Sequence, residues 1–367
     1  MVPPGVGSIR AYLAVNRRKS SMKAMMLTGI RQMEMREVPD PKIERDDDVL
    51  VRMTSVGVCG SDVHYYTTGR IGSQIVEYPF TVGHECAGNV EAVGKGVKHL
   101  KPGDRVAIEP AMPCWECDQC KVDRPHTCRN LRFLGCPGQA EGSLSEYIVM
   151  PESSCFVLRD ETSYDMAVLS EPLAIGVYAC KLAGALEGKR IGILGMGPIG
   201  LSVLLPAKYW GVDKVYATDK IQDRLDMARR CGADWTGNPD TDDVTGQIAE
   251  AEPLLLDYVF ECCGQQDAVD QAVHMLKPGG TLLMIGIPEV PRISFEIDLM
   301  RRKEICFQNV RRQNECTKPT LDLIEDGALP AAGNMITHHY AFEQTKEAFD
   351  LVTEYRDGVV KAMITFD

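Results

Sequence analysis

Between residues 23 and 165, apolar positions come in short alternating or continuous runs, such as 48–56, 86–93 and 105–108, broken by Gly and Pro. A two-residue period with frequent breakers predicts a region of short strands. From about residue 166 the rhythm changes. Arg190–Leu194 reads as an apolar strand, 199–210 as a helix, Lys214–Thr218 as a strand, and 221–231 as a helix with apolar residues at helical spacing. Segments 257–261, 267–276, 281–285 and 305–310 continue the alternation. Strands alternating with helices predict βαβ units on a parallel sheet. A helical run at 342–355 and a strand-like segment at 361–366 follow, with no internal repeat or low-complexity tract.

The strand Arg190–Leu194 runs into Gly195-Met196-Gly197-Pro198-Ile199-Gly200, a G-x-G-x-x-G that then opens a helix. Gly195 suits a tight turn, Gly197 a close approach to a pyrophosphate, and Gly200 close packing of helix on strand. Asp219 ends the second strand, where a carboxylate accepts from a ribose 2′-hydroxyl and repels a 2′-phosphate. An ordinary βα turn and a helix N-cap also fit these residues, but strand, turn, helix and acid together predict an NAD site. Lys220 and Arg224 keep NADP open, and Arg224 also suits a place lining the adenine pocket.

Cys114, Cys117, Cys120 and Cys128 form C-x2-C-x2-C-x7-C, flanked by Pro113 and Pro125. Four thiolates so close in a loop can close a tetrahedron round one zinc ion, and a closed shell is structural. A second, open shell is available from Cys59, His84 and Glu85, with Glu171 before Pro172 further downstream. Thiolate, imidazole and carboxylate all bind zinc, and three ligands leave a place for water or a substrate oxygen. Taken singly, Cys59 also fits a small core residue, and His84 and Glu85 a surface pair.

The net charge of −12 argues against a nucleic-acid partner. The longest uncharged apolar stretch, 191–207, holds four glycines and two prolines and is a poor membrane span. Fourteen cysteines in 367 residues read as metal thiolates in a reducing compartment, so a cytoplasmic location is expected. Residues 1–21 contain no acid, and Arg10, Arg17, Arg18 and Lys19 are basic. A transit peptide fits that composition, but a disordered extension before a natural beginning at Met22 is the expectation preferred.

These motifs together resemble the zinc-dependent medium-chain dehydrogenases, over residues 22–367. The carrying residues are Gly83-His84-Glu85 with Gly88, Gly94 and Val97, then Gly103-Asp104-Arg105-Val106, the four-cysteine lobe, Glu171-Pro172-Leu173 and the glycine-rich turn. Cys59-Gly60-Ser61-Asp62-Val63-His64-Tyr65-Tyr66, with Gly69-Arg70-Ile71-Gly72, resembles the sorbitol (L-iditol) and xylitol dehydrogenases most.

The resemblance implies an α/β protein: a GroES-like β-barrel catalytic domain (22–165 and 311–367) with an inserted Rossmann domain (166–310). It implies two zinc ions per chain and NAD, with Cys59, His84 and Glu85 matching catalytic-zinc ligands. Glu171 matches a carboxylate that binds that zinc directly or through water. Ser61 matches a hydroxyl that bonds the substrate oxygen, and His64 the end of a proton relay. Asp62 matches the carboxylate behind the metal histidine. Read from residue type alone, Asp62 also fits a turn cap and His64 a solvated loop. Tyr65 and Arg312 match substrate contacts, while Gln313 stands where that family has an aromatic residue.

The implied activity is reversible oxidation of a polyol secondary alcohol to a ketose. L-threonine 3-dehydrogenase and 2,3-butanediol or other secondary-alcohol dehydrogenases are the alternatives. A small-molecule substrate, no nucleic acid, no membrane and a homo-oligomer are expected, a tetramer before a dimer. A zinc-stabilised binding module and a catalytically silent relative are the competing classes. The acidic charge opposes the first, and the presence of Cys59, His84 and Glu85 opposes the second.

Overall fold

The computed structural model describes residues 21–288 and 290–367. The expectation for the N-terminal extension therefore lies outside the described residues, except that Ser21 already belongs to the strand Ser21–Gly29.

Two sheets organise the chain. The first has seven strands, in the order Cys155–Val157, Arg105–Ile108, Glu85–Val93, Asp48–Gly57, Lys361–Thr365, Ile336–Ala341, with Tyr147–Pro151 also paired to Asp48–Gly57. Asp48–Gly57 is its hub. One edge pairs with Glu85–Val93, and the other is shared by Tyr147–Pro151 and then Lys361–Thr365. Val49, Val51, Met53 and Val56 are buried along it. Each such side chain contributes roughly 1.5–3 kcal/mol through burial. The register sets Gly57 opposite Glu85. A Cβ at Gly57 would lie 2.4 Å from the Glu85 carboxylate, so glycine is what leaves that carboxylate room.

The second sheet is parallel, ordered Trp235–Gly237, Lys214–Thr218, Arg190–Leu194, Leu256–Glu261, Leu276–Met284, Cys306–Asn309. In chain order this is 3-2-1-4-5-6, the doubly wound dinucleotide-binding arrangement. Its switch point lies between Arg190–Leu194 and Leu256–Glu261, and the glycine turn follows the first of these strands.

The predicted strands and helices of this half fall within a few residues of those observed. The strand Trp235–Gly237 and the helices Ser170–Ala183, Val244–Ala251 and Ile297–Lys303 were not read from the pattern; the strand has three residues and no apolar period. The expected β-rich half also contains a helix, Gly60–Thr68. The 342–355 helix divides into a 3-10 turn, Phe342–Gln344, and the helix Thr345–Thr353. The expected domain boundary at 165–166 falls inside the helix Tyr164–Val168.

Helices Tyr164–Val168 and Ser170–Ala183 together make a 20-residue run apolar enough to cross a membrane by length and composition. Within the fold, 72 % of its most apolar window is buried, so this run is core. Uniform burial also explains why no amphipathic period marked the helix that carries Glu171.

Candidate active site

Cys59 sits in extended backbone at the N-cap of Gly60–Thr68, and Gly69 closes the helix in the left-handed region. The helix delivers Ser61, Asp62, His64 and Tyr65 within its first turns. Glu85 opens the strand Glu85–Val93, and His84 immediately precedes it. The ligand atoms of Cys59, His84 and Glu85 all lie within 4.8 Å of one another.

His84 and Glu85 are buried. Burial pushes the Cys59 thiol up, so a cation is needed to make it a thiolate. Burial pulls His84 down, but the Asp62 carboxylate and the Cys59 sulfur outweigh this and hold it well above its usual value. His84 Nδ1 lies 3.2 Å from Asp62 Oδ1, which leaves Nε2 for a metal. One oxygen of the wholly buried Asp62 has no hydrogen-bond partner. A cation drawing charge through the imidazole would compensate it. The donor set and its burial fit zinc with an open position.

Glu171, in the first turn of Ser170–Ala183, is buried but does not join the triplet at that spacing. Burial raises its pKa to about 8; His84 opposes this, and Glu85 and Glu109 add to it. Ser61 Oγ donates to Cys59 Sγ at 3.3 Å. His64 is partly buried, and its side chain makes no hydrogen bond among the described residues.

Lys361 was missed in the sequence. It is buried in the strand Lys361–Thr365, and its ammonium donates to both Glu85 oxygens, at 2.8 and 2.6 Å, and to Val58 O at 3.2 Å. A lone lysine in the apolar run Val359-Val360-Lys361-Ala362-Met363-Ile364 was the available signal. Phe133 was also missed; its ring lies 5.4 Å from the His84 ring, tilted against it, and the Arg312 guanidinium lies over it at 3.5 Å. Tyr65 is buried, its hydroxyl donating to Gln74 Oε1 at 3.2 Å. Gln313 is turned away: its amide nitrogen donates to Glu109, and its oxygen accepts from the Cys316 N–H.

In the four-cysteine lobe, Cys117–Cys120, Cys117–Cys128 and Cys114–Cys128 sulfurs lie 3.6, 3.9 and 3.4 Å apart. Zn–S bonds of about 2.3 Å put tetrahedron edges near about 3.8 Å, so the spacing fits one zinc ion. Backbone N–H groups of Cys114 and Asn130 point at Cys128 Sγ, and backbone hydrogen bonds hold Cys117 down to about 6. The lobe is loop, as expected, except for two 3-10 turns that begin at Cys120 and Pro125.

At the dinucleotide turn, Gly195 has φ +93°, and a Cβ at Gly200 would lie 2.0 Å from Gly195 O. Pro198 opens the helix Pro198–Tyr209, with Ile199 in its first turn and Gly197 at its N-cap. This end offers N–H groups and a positive dipole to phosphates. Asp219 accepts from Met196 N at 2.7 Å and from Ile221 N at 2.9 Å. Arg224 stands 3.9 Å from Asp219 and packs over the Tyr355 ring.

Known proteins resemble the chain throughout. Residues 45–160 match the alcohol dehydrogenase GroES-like domain, and residues 198–326 match the zinc-binding dehydrogenase family. Sorbitol dehydrogenase of Bacillus subtilis (strain 168) is 33% identical over 345 residues, covering 94% of this chain and 97% of that protein. Sorbitol dehydrogenase of Gallus gallus is 35% identical, covering 92% and 94%. Among solved structures, galactitol-1-phosphate dehydrogenase from Escherichia coli superposes with a TM-score of 0.86 at 26% identity, covering 94% of this chain and 100% of that one.

Proposed function

The chain belongs to the zinc-type medium-chain dehydrogenases of the sorbitol dehydrogenase type, and from that footing we propose that it reversibly oxidises a secondary alcohol of a polyol to a ketose with NAD. The observation that carries this is the convergence of Cys59, His84 and Glu85 within 4.8 Å. Cys59, His84 and Glu85 would hold a catalytic zinc, Glu171 would stand beside it, and Gly195 to Gly200 with Asp219 would hold the dinucleotide. Bound there, zinc would supply Lewis acidity toward a substrate oxygen and nicotinamide would supply a hydride acceptor.

The protein's own residues supply position and proton traffic. Asp62 fixes the His84 tautomer through Nδ1. Ser61 spends its proton on Cys59, which leaves its lone pairs free for the substrate hydroxyl. His64 stands three positions further along the same helix and would end a relay that carries the substrate proton outward once the Ser61 hydroxyl turns from Cys59. Tyr65 and Arg312 line the substrate side. Relatives named for sorbitol support the polyol class. A steady-state panel of sorbitol, xylitol and L-iditol against L-threonine and 2,3-butanediol tests it. A far higher kcat/KM for either of the last two would overturn the polyol reading.

Asp219→Ala is expected to weaken NAD binding by about 1.5–3 kcal/mol, the worth of a hydrogen bond to a charged group. The NAD/NADP ratio of kcat/KM should fall with it. Equal use of both dinucleotides by the unmutated protein would contradict the assignment.

We also infer a homo-oligomer, a tetramer before a dimer, in the cytoplasm. The edge strand Cys306–Asn309 of the parallel sheet leaves Phe307 exposed, near in sequence to exposed Ile297. Free thiols clustered for metal suit a reducing compartment. Light scattering that gives the monomer mass would reject the assembly.

A further inference from the structure

A turn of the catalytic half reaches across to the dinucleotide half. Residues 354–358 join the helix Thr345–Thr353 to the strand Lys361–Thr365. That helix is fastened to the one carrying Ser61 and His64. Phe349 packs edge-on against Tyr66 at 5.5 Å, and Asp350 accepts from the Tyr66 hydroxyl at 2.6 Å. Tyr355 in the turn is exposed, and the Arg224 guanidinium lies over its ring at 4.7 Å. A Cβ on Gly358 would lie 3.3 Å from the Asp223 carboxylate, so the turn also abuts the start of the helix Gln222–Arg230.

The turn fixes where that ring stands. Tyr355, Asp357 and Gly358 hold φ at +50°, +55° and +65°, and the first two carry a Cβ that seldom adopts left-handed backbone. The N–H of Arg356 closes on Leu351 O, and Asp357 lies 3.3 Å from His338. Arg224 has no comparable hold of its own. Its Nη1 is 3.9 Å from Asp219, beyond hydrogen-bond length, and its buried Nε has no partner. Yet the guanidinium lies over the glycine turn: a Cβ on Gly197 would stand 3.5 Å from Nη1 and 3.6 Å from Cζ. A long side chain with one loose ion pair has rotamer freedom to lose. An aromatic face opposite it restricts that freedom and attracts the cation through the ring quadrupole. The guanidinium is thereby presented between the turn suited to phosphates and the acid suited to a ribose hydroxyl, with N–H donors for oxyanions.

We propose that Tyr355 is a positioning residue for the dinucleotide: its ring holds the Arg224 guanidinium over the Gly197 turn, so that the catalytic half helps to bind the adenosine diphosphate part of the cofactor. This rests on the dinucleotide reading of the glycine turn and adds to it a residue from the other half of the chain.

The test uses the full-length, zinc-loaded protein. ADP-ribose is the probe, because it lacks nicotinamide and reports the adenosine diphosphate part alone. Calorimetric titration compares Tyr355→Asn, Tyr355→Phe, Arg224→Ala and the double variant Arg224→Ala with Tyr355→Asn. Asparagine removes the ring yet accepts left-handed backbone. Tyr355→Asn is expected to raise the Kd about 2- to 5-fold, the scale of an exposed cation–π contact. Tyr355→Phe should keep the unmutated Kd, because the ring and not the hydroxyl is used. In the Arg224→Ala background Tyr355→Asn should add nothing. Urea midpoints of each variant separate a lost contact from a lost fold. Unchanged or tighter binding by Tyr355→Asn, an equal loss in Tyr355→Phe, or a full effect without Arg224 would overturn the proposal. Asp219→Ala is titrated alongside. If neither it nor Arg224→Ala alters ADP-ribose binding, the dinucleotide reading of the turn fails and the role of Tyr355 with it. If both weaken binding and Tyr355→Asn does not, the role of Tyr355 alone fails.

Discussion

Replacing Lys361 with methionine is expected to destabilise the metal-stripped protein by about 3–5 kcal/mol, the usual result of removing one partner from a buried ion pair. Lys361 and Glu85 side chains are each 1 % exposed, and the ammonium spans both carboxylate oxygens. Without it, the Glu85 carboxylate has no cation beside it in a site walled by Gly57, Val58 and Val168. Burial pulls the Lys361 pKa down, but Glu85 lifts it above its ordinary value. The lysine's part of the contribution is therefore present below about pH 10 and is lost as pH rises through the higher folded value. Urea unfolding of the chelator-treated variant should show a deficit that is flat between about pH 6 and 9. Zinc should shrink the deficit, since a second cation on Glu85 restores the missing charge. Adding Glu85→Gln to the variant should recover part of it. An unchanged urea midpoint would mean that the pair is not closed in solution.

Cys120→Ser is expected to take zinc from two ions per chain to one, and to open the 110–130 loop to protease. Closed thiolate sites carry apparent binding energies of about 10–16 kcal/mol, which is also folding energy for the segment they pin. Beside the thiolates the lobe has polar ties, Arg129 to Asp118, Thr127 to Gln119 and Asn314 to Asp123 O, and little regular structure. Its sheet content is a two-residue pairing of Ala111–Met112 with Arg132–Phe133, and Trp115 and Val122 are exposed. NAD affinity should stay at the unmutated value, because the dinucleotide turn belongs to the other sheet. Elemental analysis and limited proteolysis check both halves. One zinc or none in the unmutated protein would remove the premise.

Much of the site was legible because its signals are local. The four cysteines lie within one loop, and the glycine turn lies between a strand and a helix. Cys59, Ser61, Asp62, His64 and Tyr65 were singled out by their succession, although the helix at which they stand was not read. That helix has nine residues and a weak apolar face. What escaped is what the tertiary fold assembles. Lys361 meets Glu85 across 276 positions, and Arg312 meets Phe133 only when the segment after Cys306–Asn309 reaches the short strand Arg132–Phe133. Neither pairing has a spacing that a sequence can display. Gln313 shows the converse: its departure from the family pattern was visible, but its reason, the bond to Glu109, was not.

The split of the first sheet also sets an order of assembly during synthesis. The strand Lys361–Thr365 completes the edge of Asp48–Gly57, yet the whole parallel sheet is translated between them. The nucleotide-binding half can therefore collapse on its own local βαβ contacts while the catalytic half still has an open seam. Until that last strand docks, Glu85 has no ammonium beside it and the Asp48–Gly57 edge is a free template for other chains. Capture of the catalytic metal is consequently a late event, after the chain has closed on itself. Ribosome-bound chains stopped before residue 361 should hold dinucleotide before they hold a second zinc ion.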